Sequence, residues 1–174
     1  GERMKKHYSE QLAGLRELVL RMGGLVEQMT RRVIQALVER NVGIIVEVRG
    51  MESQVNQLHI DIDEACIELI ALRQPAAVDL RFITAAMKIN SDMEWIGDQA
   101  INITERADSL LVVPSLKPLF DIPRMAEIAT ALLKASLAAF VDGHGQMRDP
   151  PLLRDDVLDR LKDRRVPAIA ISGV

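Results

Sequence analysis

Glu94, Asp98 and Asn102 stand four residues apart in the run Glu94-Trp-Ile-Gly-Asp98-Gln-Ala-Ile-Asn102. On an α-helix, residues four apart lie one above the other on a single face. The three side chains would therefore form a ladder of two carboxylates and a carboxamide. Oxygen ligands of this kind suit a hard cation, and the charge suits a cationic partner. Glu105 continues the ladder by spacing only. Acidic helices generate Glu-x-x-x-Asp by chance, so the spacing taken alone reads first as solvated surface.

The other groups capable of chemistry narrow the choice. Ferritin-like di-iron bundles use Glu-x-x-His pairs, and the residues three before His7, His59 and His144 are Met4, Asn56 and Val141. No His-Glu-x-x-His helix, phosphate-binding Gly-x-x-x-x-Gly-Lys loop or Gly-x-Ser-x-Gly elbow is present. His59 reads as a solvated helical histidine and Cys66 as a small buried apolar residue. A single cysteine excludes an internal disulfide and any cysteine-only metal site. The net charge of −3 is too mild and mixed for a nucleic-acid binder or a strongly membrane-adsorbed surface. No apolar run approaches the roughly 20 residues that span a bilayer, and no basic leader points to export; the single cysteine is compatible with a reducing cytoplasm.

Apolar spacing supplies the elements that would hold the ladder. Leu12, Leu15, Val19, Met22, Val26, Met29, Val33 and Ala36 alternate steps of three and four. Val48, Met51, Val55, Leu58, Ile62, Ala65, Leu69 and Leu72 keep that rhythm, as do Ala86, Ile89, Met93, Ile96, Ala100, Ile103, Ala107 and Leu110. A sustained 3-4 pattern marks long helices packed at a shallow angle. Breaks at Asn41-Val-Gly43 and Gln74-Pro75 fall where bundle turns belong. The fold class is all-α, an antiparallel three-helix bundle. Gly23-Gly24 inside the first helix should cost about 1 kcal/mol each relative to Ala, with a slight bend there. With Ala86, Met93 and Ala100 at a positions, Glu94, Asp98 and Asn102 fall at b, f and c, facing away from the seam. Trp95 also faces outward. There, little desolvation raises a carboxyl pKa, which argues against general acid catalysis and for oxygen coordination.

The words around the ladder resemble the phosphate-uptake regulator family, PhoU. The resemblance rests on Gln74-Pro75-Ala76-Ala77-Val78-Asp79-Leu80-Arg81 and on the signature Glu94-Trp95-Ile96-Gly97-Asp98. It reaches back to His7, Leu12, Leu15, Leu18 and Met22, covering roughly residues 5–112. Trp95 departs from it, since the family usually has Arg there. The resemblance implies a regulatory adaptor, not an enzyme, that restrains phosphate uptake and signalling when phosphate is ample. Its implied partners are the ATPase of the phosphate-specific ABC transporter and a membrane sensor kinase, with the membrane approached only through them. It also implies a divalent metal or iron held by Glu94 and Asp98, with Asn102 a weaker candidate. The alternative is a metal-dependent enzyme or metal-storage bundle on the same ladder. Asp79 and Arg81 read as mainly structural, the first favouring the helix dipole, the second placed to reach an acid on the preceding helix.

Beyond residue 112 the pattern thins. Val112-Val-Pro-Ser-Leu-Lys-Pro118 reads as a linker, and Asp121-Ile-Pro-Arg-Met-Ala as the opening of a second repeat. A fourth helix is expected from about Pro123 to Val141. After Gly143-His-Gly-Gln-Met-Arg-Asp-Pro150-Pro151 only a charged echo follows, Arg154 to Arg160, and no second Glu-x-x-x-Asp before Val174. The expected division is a three-helix bundle at 1–112 and a linker with a partial second repeat at 113–174. A fourth helix without a bundle of its own must pack on the first bundle or on another molecule. The expectation drawn from this is a homodimer or larger assembly with that helix at the interface.

Overall fold

A computed structural model describes residues 2–112, Pro114 and 121–142. The described residues form five helices: α1 (Glu2–Glu39), α2 (Val42–Gly50), α3 (Glu52–Arg73), α4 (Ala77–Val112) and α5 (Asp121–Asp142). The all-α bundle expected from the apolar rhythm is present. Helix α1 is its hub and packs against each of the other four. Its predicted seam is buried from Leu15 to Ala36.

Side-chain contacts at the helix ends fix the directions. The Tyr8 hydroxyl donates to Asp79 Oδ2 (3.1 Å), which joins the starts of α1 and α4. Arg40 Nη2 donates to the carbonyl of Leu111 (2.6 Å), which joins their ends. Gln11 Nε2 donates to Glu68 Oε1 near the end of α3, so α3 runs antiparallel to both. The first turn closes as a Schellman cap: Arg40 takes φ 52°, and Asn41 N–H donates to Ala36 O (2.9 Å). Asn41 then caps α2 by accepting from Ile44 N–H.

The second predicted helix is two segments. At Met51 the N–H donates to Val48 O, three residues back (3.0 Å), and α3 begins at Glu52. Gly50, a weak helix former, precedes the step. Met51 keeps αR angles and stays buried, so the apolar seam runs on through the break.

Helix α5 settles where the fourth apolar face goes. It packs on α1, burying Leu133, Leu137 and Phe140 within the same chain. The C-terminal part of the face from which an interface between copies was argued is thus covered within the chain, while Ile128 stays 40% exposed. Gly23 makes the close approach possible, because a Cβ there would lie 2.3 Å from Leu137 Cδ1. The helix-propensity cost read at Gly23 is therefore offset by packing, whereas Gly24 has open space around it. Phe140 stacks on Phe82 of α4 with ring centroids 4.7 Å apart, and Arg16 lies over the Phe82 ring. Glu27 accepts from Arg31 (2.7 Å) and from Lys134 (3.2 Å), an exposed pairing of modest worth. Apart from Pro114, the linker residues between α4 and α5 fall outside the described residues. So do the Gly143–Pro151 break, the Arg154–Arg160 echo and the final segment.

Candidate functional site

Helix α4 packs on both α1 and α3, so its buried arc is wider than one heptad seam. Asn90, Gly97 and Thr104, one step beyond the predicted d positions Ile89, Ile96 and Ile103, are all buried. At Gly97 the two helices approach closely: a Cβ would stand 3.2 Å from Val55 Cγ1 on α3. This wider arc moves Glu94 from a position facing away from the seam to the rim of the α3–α4 groove, where its side chain is 38% exposed.

The groove collects polar groups that the apolar pattern did not announce. Asn90 is fully buried, and its Nδ2 donates to His59 O (2.9 Å) and to Asp63 Oδ1 (3.0 Å). One turn on, Glu94 reaches toward His59, whose Nε2 lies 3.8 Å from Glu94 Oε2 and 3.6 Å from Asp63 Oδ2. Neither separation is a hydrogen bond. His59 Nδ1 and Asn90 Oδ1 are buried with no hydrogen-bond partner. A buried polar atom left unpaired costs about 1–3 kcal/mol, so this is the least satisfied part of the interior.

Asp98 lies one turn beyond Glu94 and Asn102 a turn further; both are exposed, and neither makes a side-chain hydrogen bond or ion pair among the described residues. The structure therefore brings Glu94 together with His59 and Asp63, and leaves Asp98 and Asn102 along the outer face. The solvated histidine expected at position 59 is instead largely buried, its side chain 22% exposed. The signal was present in the sequence: His59-x-x-x-Asp63 repeats on α3 the spacing of Glu94-x-x-x-Asp98. Trp95 is outward, as its register implies, and 44% exposed.

A metal at zinc-like distances holds its donor atoms roughly 3.3 Å apart, close to the separations about His59 Nε2. As the side chains stand, no three His, Cys, Asp or Glu groups among the described residues are placed to hold a metal ion. The groups brought together, the His59 imidazole and the carboxylates of Asp63 and Glu94, are of the chemical kinds that a divalent cation takes.

Nearby groups are structural. Cys66 is buried, its Sγ 3.8 Å from Ile83 O. Burial, and secondarily the charge of Asp63, push its thiol up to about 12. Asp79 accepts from Tyr8, and desolvation followed by that bond and its charge raises the Tyr8 phenol pKa. Arg81 is exposed and makes no ion pair among the described residues, so the partner expected on α3 is not engaged. Burial also raises the carboxyl of Asp92, opposed by Lys88 one turn back.

The PhoU domain matches residues 19–107. A phosphate-specific transport system accessory protein PhoU homolog of Aquifex aeolicus is 36% identical over 87% of this chain and 69% of its own length. The chain belongs to the PhoU family. A PhoU homolog of Pseudomonas putida is 42% identical over 62% of this chain and 42% of its own length. The crystal structure of PhoU from Pseudomonas aeruginosa superposes with a TM-score of 0.73 at 33% identity, covering 78% of this chain and 65% of that one. The PhoU chain from Streptococcus pneumoniae shares the fold, with a TM-score of 0.66 at 24% identity. This PhoU-family chain thus spans part of the length of its relatives.

Proposed function

We propose that this PhoU-family chain is a regulator of phosphate uptake and of the signalling tied to it. It works through contacts with the transporter ATPase and a phosphate sensor kinase, on the cytoplasmic side of the membrane. The observation that carries the reading is the match to relatives named as accessory proteins of the phosphate-specific transport system. Accessory proteins are not enzymes, and the reading assigns no catalytic residue. No described helix is long and apolar enough to cross a membrane. Because α5 covers its own apolar face on α1, the reading does not depend on self-association.

Glu94 and Asp98 hold a metal ion in this account, with Asn102 at the outer margin and His59 and Asp63 added from α3. The ion would tie α3 to α4 and stiffen the outward face they share. Support comes from the donor set and from the unpaired His59 Nδ1 and Asn90 Oδ1 around it. The test is expression in a bacterium lacking its own PhoU, with phosphate uptake measured at high external phosphate. Restored restraint is expected; uptake that stays unrestrained while the chain accumulates in folded form would refute the regulatory role.

A further inference from the structure

Helix α5 is covered on one side only. Leu133, Ser136, Leu137 and Phe140 are buried against the bundle. Along the opposite side run Arg124, Ile128, Ala131, Ala135, Ala138 and Asp142, in alternating steps of four and three. All six are exposed, Ile128 to 40%. This is the spacing with which a helix presents a continuous seam to a second helix.

The order of residues along the seam selects the occupant. When two identical helices pair antiparallel about a twofold axis, each position meets the one equally far beyond the axis on the other copy. An axis level with Leu133 sets Arg124 against Asp142 at both ends of the pair. It sets Ile128, the one bulky apolar residue of the seam, against Ala138, and it sets Ala131 against Ala135. Arg124 near the start of α5 and Asp142 at its end each sit where their own helix dipole is unfavourable. The antiparallel copy brings each of them to an opposite charge. A carboxylate accepts from more than one donor, so the interaction that Asp142 makes within its own chain is compatible with this.

The flanking charges leave the register open to pairing. Lys134 lies beside the axis and meets its own counterpart, but each is held by Glu27 of its own chain at 3.2 Å. Glu127 falls opposite Ala139. We propose that two copies of this chain associate through the outward face of α5, antiparallel about a twofold axis level with Leu133. The side of α5 that packs on α1 takes no part. The seam is only about 27 Å long, which falls short of a standard interface of about 1,600 Å². The dimer should accordingly be weak, with a Kd of about 10–100 µM. The inference uses neither metal nor transporter and stands apart from the phosphate-uptake reading.

Sedimentation velocity of the full chain, with EDTA present, from about 5 to about 300 µM brackets that Kd. A concentration-dependent shift from monomer to dimer is expected. Ala135→Glu puts a charge at the centre of the seam and should weaken association about tenfold or more. Arg124→Asp sets acids against each other at both ends and should weaken it about fivefold. Adding Asp142→Arg to that variant should restore the wild-type Kd, because the pairs are then reversed. Ile67→Ser on α3 should leave association unchanged. Helix content by circular dichroism checks that each variant folds. A monomer at every concentration, as when another protein or a segment of the same chain covers this face, would overturn the proposal. So would a dimer indifferent to Ala135→Glu, a charge swap that restores nothing, or equal weakening by Ile67→Ser.

Discussion

The α1–α5 seam and the α3–α4 groove solve opposite problems. The first is dry and close: Gly23 admits Leu137, and Phe140 and Leu133 fill the space with no buried polar group left unpaired. The second holds a buried asparagine, a largely buried histidine and two orphaned polar atoms beneath a half-exposed rim of carboxylates. One seam spends its side chains on stability. The other keeps groups that stability alone would replace with leucine, and so is where function is to be sought.

Substitutions can break or sharpen that contrast. Phe140→Ala empties the packed seam and should cost about 3–5 kcal/mol, read as a lower urea midpoint. Gly23→Ala pushes a methyl into Leu137, and overpacking of this kind costs about 1–3 kcal/mol, partly offset by better helix propensity. On the polar side the effects on stability should be smaller. Tyr8→Phe removes the bond to Asp79 at the bundle end and should cost about 0.5–1 kcal/mol. Ile67→Ser, at an exposed position, should stay within about 0.5 kcal/mol. A large loss from Ile67→Ser, or none from Phe140→Ala, would reverse the assignment of the two regions.

Two titrations sharpen it further. Burial raises the Asp92 carboxyl, so the folded chain keeps that proton to higher pH than the unfolded chain does. Its favourable contribution is full below the ordinary value of 3.8 and is lost as pH rises through the folded value. Asp92→Asn should therefore raise the melting temperature at pH 7, with the gain shrinking on acidification. Cys66, held at about 12, should resist a thiol reagent at pH 8 in the native chain and react once the chain is denatured.

The helices were legible because the 3-4 rhythm of Leu15, Val19 and Met22, or of Ile89 and Met93, states both the period and the buried face. The break at Met51 was not, because its side chain keeps the apolar rhythm while only the backbone bond shifts. Gly23 looked like a cost, since propensity is local and Leu137 lies more than a hundred residues away. At the site, Glu94 was legible from its spacing with Asp98. The mate it meets, His59, was not, because one heptad register cannot describe a helix packed on two neighbours. Asn90 at an e position carried the clue, a polar residue on what becomes an inward face.

The proposed function puts a cation in the α3–α4 groove and its rim. The most direct measurement is metal content by mass spectrometry of the purified wild-type chain beside Glu94→Ala/Asp98→Ala, with helix content compared by circular dichroism. Stoichiometric metal is expected in the wild type, with its loss in the double variant at unchanged helicity. Equal, near-zero metal in both, from chains that are equally folded and have been offered divalent ions before dialysis, would contradict it.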